Sequence, residues 1–252
     1  MSEEQSKAEG FHSVIPYLTV HKPAELIEFV KQSFGAVEQM RTTGSAGGMH
    51  AEVTIGDCKV MIGGAEHITP APAAIHLYVP DVDDAYQRAL EAGAKPLFAV
   101  ADQPYGERSG GVEDPHGNRW YIATTVVPLR EISEHLHTVT VYFHIIGAPE
   151  FIEFLKDAFE AEELMRSEEG GMLAHAKVRL GDSAIELGEA RYPSQPLPPA
   201  IYLFVDDVDA SYERALRAGA TSMMEPKDQP YGHRNAWVKD PFENVWYLAQ
   251  EN

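Results

Sequence analysis

The chain has 252 residues and carries 20 Lys and Arg against 39 Asp and Glu, a formal charge of -19, so it lacks the clustered cations that a nucleic-acid backbone requires. Its one cysteine, Cys58, cannot form an internal disulfide and lies on an expected strand as an inert thiol, which suits a reducing compartment. No run approaches the length of a membrane span and the opening segment is polar, so a cytoplasmic protein with a disordered tail over residues 1–13 is expected.

In chain order, an apolar strand is expected over Val14 to Val20, where Pro16 suits a sheet edge. A helix follows from Pro23 to Phe34, punctuated by a proline at its start and Gly35 just past its end. Strands come next at Val37 to Thr42, Met49 to Ile55 and Lys59 to Ile62. The same order then recurs: a strand at Ile75 to Val79, a helix at Val82 to Ala92 closed by Gly93, and strands at Pro96 to Ala99, Arg108 to Glu113 and Arg119 to Ala123. Each half of this pattern is a βαβββ unit.

The whole pattern repeats. Asp102-Gln103-Pro104-Tyr105-Gly106-Glu107-Arg108 returns as Asp228-Gln229-Pro230-Tyr231-Gly232-His233-Arg234, and Tyr86 to Ala94 returns as Tyr212 to Ala220, an offset of about 125 residues that is the size of a domain. The expected organisation is the tail, a first domain over 14–124, a linker over 125–137 in which Leu129, Ile132 and Leu136 pack, and a second domain over 138–252.

The paired βαβββ layout, the Val-x-Asp-Val-Asp helix entries at Val79 to Asp83 and Val205 to Asp209, and the Asp114-Pro-x-Gly-Asn118 turn resemble the vicinal oxygen chelate superfamily of glyoxalases, bleomycin-resistance proteins and extradiol dioxygenases. Ile15-Pro16-Tyr17-Leu18, His50-Ala51-Glu52 and Pro104-Tyr105-Gly106 are similar to its PhnB-like branch. The resemblance implies an α+β fold of tandem domains, each with two units forming a cupped mixed sheet and helices outside. It also implies ligand positions for a divalent metal, which in this chain are Ile15, Met61, Ala74, Tyr121, Thr140, Glu186, Ala200 and Tyr247. Glu186 alone among them is a good donor, whereas a catalytic centre needs about three, so neither a metal nor another cofactor is expected.

Strand parity names what fills the cups instead. In the first domain the cup face carries Tyr17, His50, Glu52, Met61, His76, Tyr78, Arg119 and Tyr121. In the second it carries Tyr142, His144, His175, Lys177, Glu186, Tyr202, Phe204 and Tyr247, while Trp120 and Trp246 face the core. A two-residue turn at Gly56-Asp57 sets Glu52 opposite Met61, and its repeat sets Lys177 opposite Glu186 as a cross-strand ion pair. His50, Glu52 and His76 on one face form an alternative metal set for Zn(II) or Fe(II), with His144, His175 and Glu186 its counterpart in the second domain.

Aromatic rings with isolated polar groups are the usual form of a small-molecule site, and the acidic balance favours a partly aromatic or cationic ligand. The expected partner is therefore a small molecule bound by Tyr17, His50, Glu52, His76, Tyr78, Tyr121, Tyr142, His144, His175, Tyr202 and Tyr247, with nucleic acid and membranes excluded. The chain is read as a pseudo-dimeric monomer compatible with further homodimerisation. The alternative is an enzyme of lyase, isomerase or dioxygenase type with His50, Glu52 or His175 as acid or base.

Overall fold

A computed structural model describes residues 11–44, 47–104, 106–125, 135–191 and 195–251. Unit one comprises β1 (Val14–Thr19), α1 (Pro23–Phe34), β2 (Val37–Thr43), β3 (Met49–Ile55) and β4 (Cys58–Gly64). Unit two comprises β5 (Ala74–Tyr78), α2 (Val82–Glu91), β6 (Lys95–Asp102), β7 (Glu107–Glu113) and β8 (Arg119–Thr125). Unit three runs through β9 (Val139–Ile145), α3 (Ala148–Phe159), β10 (Glu162–Glu169), β11 (Met172–Leu180) and β12 (Ser183–Glu189). Unit four closes the chain with β13 (Ala200–Phe204), α4 (Val208–Arg217), β14 (Thr221–Asp228), β15 (His233–Lys239) and β16 (Val245–Glu251).

The helices begin and end where side-chain chemistry allows. The first has a proline in its first turn and closes on Gly35 at φ 67, in the left-handed region that glycine enters without strain. Asp81 and Asp207, the first aspartates of the repeated Asp-Val-Asp entries, cap α2 and α4 by accepting from Asp84 N and Ala210 N. The Asp114 turn is held by one carboxylate that accepts from His116 N, Asn118 N, Asn118 Nδ2 and Trp120 Nε1; Asp240 does the same around Trp246. Both tryptophans are fully buried, as parity requires.

Two eight-stranded mixed sheets result, in the orders β14-β15-β16-β13-β1-β4-β3-β2 and β10-β11-β12-β9-β5-β8-β7-β6. Each is therefore assembled from one unit of each repeat. Units one and four meet through the antiparallel pair β1/β13, and units two and three through β5/β9. This corrects the expectation that each cup is made within one repeat. The two units of a repeat meet through their helices instead: Arg88 on α2 donates to Ser33 O of α1, and its equivalent Arg214 on α4 donates to Ala158 O of α3. Phe34 lies 4.7 Å from Trp120, and Phe159 lies 4.8 Å from Trp246, so one apolar core runs between the sheets.

Pro16 is not at an edge. It lies in β1 between two neighbours and is tolerated because the parallel ladder to β4 begins one residue later, at Tyr17. Residues 11–13, expected within the disordered tail, are packed: Ser13 is 2 % exposed and its backbone N–H donates to Asp182 Oδ1. In the linker, Leu129 and Ile132 lie outside the described residues, while Leu136 is buried. Among the described residues no helix is long and apolar enough to cross a membrane.

Candidate functional site

The exchange of units regroups the expected site residues. Tyr17, His50, Glu52, Tyr202 and Tyr247 share the first sheet, and His76, Tyr78, Tyr121, Tyr142, His144 and His175 share the second. His76 is thus removed from His50 and Glu52, and the alternative His/Glu/His metal set does not assemble.

The first cup is aromatic. Ile15, Met61, Phe204 and Ala249 form a small apolar floor separate from the main core, with Tyr17, Tyr202 and Phe11 packed on it. Trp237 stands edge-on to Tyr247 at 5.3 Å, and Tyr247 in turn meets Tyr17 at 5.3 Å. The Tyr17 hydroxyl is 3.0 Å from His50 Nδ1, and the Tyr202 hydroxyl is 3.1 Å from His233 Nδ1 and accepts from Asn235 Nδ2. Glu52 faces Met61, as the turn requires, and is paired with Lys59 at 3.0 Å. Burial pushes the Tyr17 and Tyr202 hydroxyls well above the usual phenol range and lowers His50, so these groups are neutral hydrogen-bonding partners.

The second cup is ionic. Glu186 is 2 % exposed and its Oε2 lies 2.6 Å from His76 Nδ1, with Lys177 Nζ at 3.4 Å and His175 Nε2 at 3.7 Å from Oε1. The expected Lys177–Glu186 pair is present, yet His76 is the nearer partner. Across the cup, Glu107 Oε2 stands 3.6 Å from His76 Nε2 and Glu107 Oε1 accepts from the Tyr78 hydroxyl. Burial alone would lower the His76 pKa, but the Glu186 carboxylate, helped by Glu107, raises it to about 9. Glu186 is held well below the usual carboxylate range by His76 and His175 despite burial. His144 goes the other way: burial, with the Arg119 charge, lowers it to about 4, and its Nε2 lies 2.6 Å from the Tyr121 hydroxyl.

The two cups differ by paired replacements at equivalent positions. His76 with Glu107 in one becomes Tyr202 with His233 in the other; Lys177 with Glu186 becomes Glu52 with Met61. Gly111, which faces Tyr121, is matched by Trp237, which faces Tyr247. In both cups a glycine, Gly63 or Gly188, leaves room for a tyrosine hydroxyl, because a Cβ there would meet the Tyr17 or Tyr142 oxygen at 2.5 or 2.8 Å.

Phe11, Glu107, Trp237, His233 and Asn235 were not singled out from sequence. Trp237 was legible in principle, since β15 pairs it with Tyr247 and parity then puts both on one face. The repeated Asp-Gln-Pro-Tyr-Gly loops do not reach into the cups through their arginines: Arg108 and Arg234 pair with Asp83 and Asp209 at the helix starts, and with Asp102 and Asp228. Tyr105 lies outside the described residues. Cys58 is buried, and burial raises its thiol pKa, as expected of an inert side chain.

A metal of the kind the fold family implies does not fit the residues present. The first cup offers Ile15, Met61, Ala200 and Tyr247 at the four positions, and the second offers Ala74, Thr140, Tyr121 and a Glu186 already engaged by His76 and Lys177. Among the described residues no trio of His, Cys, Asp or Glu donors converges within either cup.

Comparison with known proteins agrees with this architecture. The model of the Glyoxalase/Bleomycin resistance protein/Dioxygenase superfamily matches residues 10–122 and 147–248. Over 131 residues, 47 % of the chain, it is 38 % identical to an uncharacterised protein of Mycobacterium bovis, of which 84 % is covered, and equally to one of Mycobacterium tuberculosis, covered to 75 %. Among solved structures, glyoxalase I from Zea mays aligns over 94 % of this chain and 92 % of its own with a TM-score of 0.74 at 14 % identity. A putative dioxygenase from Bacillus subtilis aligns over 98 % of this chain and 86 % of its own with a TM-score of 0.66 at 14 % identity. Such identities speak for the fold alone. With the family model spanning both repeats and four βαβββ units closing two cups, the chain belongs to the glyoxalase, bleomycin-resistance and dioxygenase superfamily.

Proposed function

We propose that this chain is a PhnB-like, cytoplasmic small-molecule-binding protein whose first cup holds a planar, partly aromatic or cationic compound without a cup metal. The observation that carries the reading is the set of rings Tyr17, Tyr202, Phe204, Trp237 and Tyr247 on one face, beside Glu52, in a cup whose four metal positions hold Ile15, Met61, Ala200 and Tyr247. Rings supply area and cation–π attraction, while Glu52 and the paired tyrosine hydroxyls orient a ligand. Calorimetric titration of a panel of aromatic cations tests this. Tyr247→Ala should weaken the best of them by about fivefold or more, since truncating a binding aromatic costs more than about 1 kcal/mol. Unchanged affinity in that variant would remove the first cup from the account.

A second reading rests on the second cup, where His76 at about 9 and His144 at about 4 offer a protonated and a neutral imidazole on one sheet. Titratable groups driven apart in this way are the arrangement from which acid and base roles are drawn, and proton transfer of lyase or isomerase type is its chemistry. Turnover of any substrate that survives intact in both His76→Gln and His144→Gln would dispose of it.

A further inference from the structure

Outside both cups, the starts of β1 and β9 come together on the axis that relates the two repeats. His12 and His137, equivalent residues of the two, stack with centroids 3.5 Å apart and planes 15° from parallel. The Asp57 carboxylate, from the turn between β3 and β4, lies beside both rings: its Oδ2 is 3.9 Å from His12 Nε2 and 3.9 Å from His137 Nδ1. One donor atom from each of the three residues falls within a sphere in which all lie within 4.8 Å of one another.

Three features make this more than a chance meeting of polar groups. His12 Nε2 is buried without a hydrogen-bond partner among the described residues, a state that costs free energy unless something occupies it. His137 Nε2 lies 3.2 Å from the Asp182 carbonyl oxygen, which can only accept; that bond places the proton on Nε2 and turns the Nδ1 lone pair toward Asp57. A backbone carbonyl behind the outer nitrogen is the usual support of a metal-ligating imidazole. Asp57 is itself oriented, because its Oδ1 accepts from Thr138 N at 3.1 Å.

We infer that His12, Asp57 and His137 form a divalent-metal site at the junction of the two repeats, built for a borderline ion of the Zn(II) type. Two imidazoles and a carboxylate suit such an ion, with water as the fourth ligand. Tetrahedral bonds of about 2.0–2.1 Å require donors roughly 3.3 Å apart. Coordination requires Oδ2 of the half-exposed Asp57 to swing inward while Oδ1 keeps its bond from Thr138 N, and the two rings to splay from their stack, because an imidazole lone pair lies in the ring plane and parallel rings cannot both aim at one ion. The ion ties β1 of the first sheet, the β3–β4 turn and β9 of the second sheet into one clasp. It also fixes His12, whose neighbour Phe11 stands edge-on to Phe204 at 5.7 Å in the first cup.

The experiment is calorimetric titration of Zn(II) into the chelator-stripped 252-residue chain, with Co(II) absorption as a readout of tetrahedral coordination. One ion per chain is expected. His12→Ala and Asp57→Asn should weaken it by more than about tenfold, the smallest loss usual for a residue supporting a metal ligand. Glu186→Gln and His50→Ala, which alter the cups alone, should leave it unchanged, with circular dichroism confirming that each variant is folded. Absence of saturable binding, retention of the ion by His12→Ala, or its loss in a cup variant would each overturn the assignment.

Discussion

The charge pair at the base of the second cup makes a sharp thermodynamic prediction. His76 has its pKa raised from 6.5 to about 9, a shift worth about 3 kcal/mol at about 1.4 kcal/mol per unit, less what solvent reaching 14 % of the side chain screens. Because the folded-state value lies above the unfolded one, this stabilisation is complete below about pH 6.5 and is lost as the pH rises through about 9. Glu186 behaves oppositely: its folded-state pKa is depressed, so its share persists above the ordinary carboxylate range and disappears in acid. Urea unfolding of the natural protein and of His76→Gln, followed from about pH 6 to about pH 10, reads the contribution of His76 together with its hold on Glu186, the titrations of groups away from this pair being common to both. At about pH 6 the variant should be less stable by about 2–3 kcal/mol, with a buried carboxylate left to Lys177 and His175. The two curves should converge by about pH 10. Parallel curves across the whole range would show that His76 is not held protonated by Glu186, and the ionic description of this cup would fail.

Asp240→Ala should cost at least about 3 kcal/mol in chemical denaturation, because Phe242 N, Asn244 N, Asn244 Nδ2 and Trp246 Nε1 lose one shared acceptor inside the core; a loss below about 1 kcal/mol would contradict that role. Gly64→Ala should destabilise by several kcal/mol, since φ is 133 and a Cβ would run into the Val20 carbonyl oxygen, which is fixed backbone. Gly111→Ala should cost about 1 kcal/mol or less by the same assay, because its clash is with Phe98, a half-exposed ring that can swing away. Equal losses for the two glycines would refute the distinction between rigid and movable neighbours.

Most of the fold was written in local signals. The Pro23 and Gly35 boundaries, the Asp81 and Asp207 caps and the Gly56-Asp57 turn each act over a few residues, and the structure has them where the sequence puts them. Parity then fixed which face each side chain takes, because a one-residue slip would have moved the buried Trp120 and Trp246 to the cup side. What the sequence did not carry is which units share a sheet. The opening strands of all four units are apolar and similar, so any could pair with any other; the choice rests on tertiary contacts such as Phe34 on Trp120 and Arg88 on the end of α1. That choice brings His76 to Glu186, 110 residues away in the other repeat, and separates it from His50. A buried ion pair between distant units leaves no spacing to read. The His12 and His137 stack is hidden for the same reason, since only the folded junction sets equivalent residues face to face.

Tryptophan fluorescence of the chelator-stripped protein, followed during titration with an aromatic cation, reads whether the first cup binds without metal. Of the three tryptophans, Trp120 and Trp246 are fully buried and bonded to Asp114 and Asp240, so Trp237 in the first cup is the reporter. Saturable quenching without added metal, abolished in Trp237→Phe and shifted to higher ligand concentration in Tyr17→Ala, is the predicted result. Quenching that appears only after a divalent ion is supplied, and that Trp237→Phe leaves in place, would contradict a metal-independent aromatic cup.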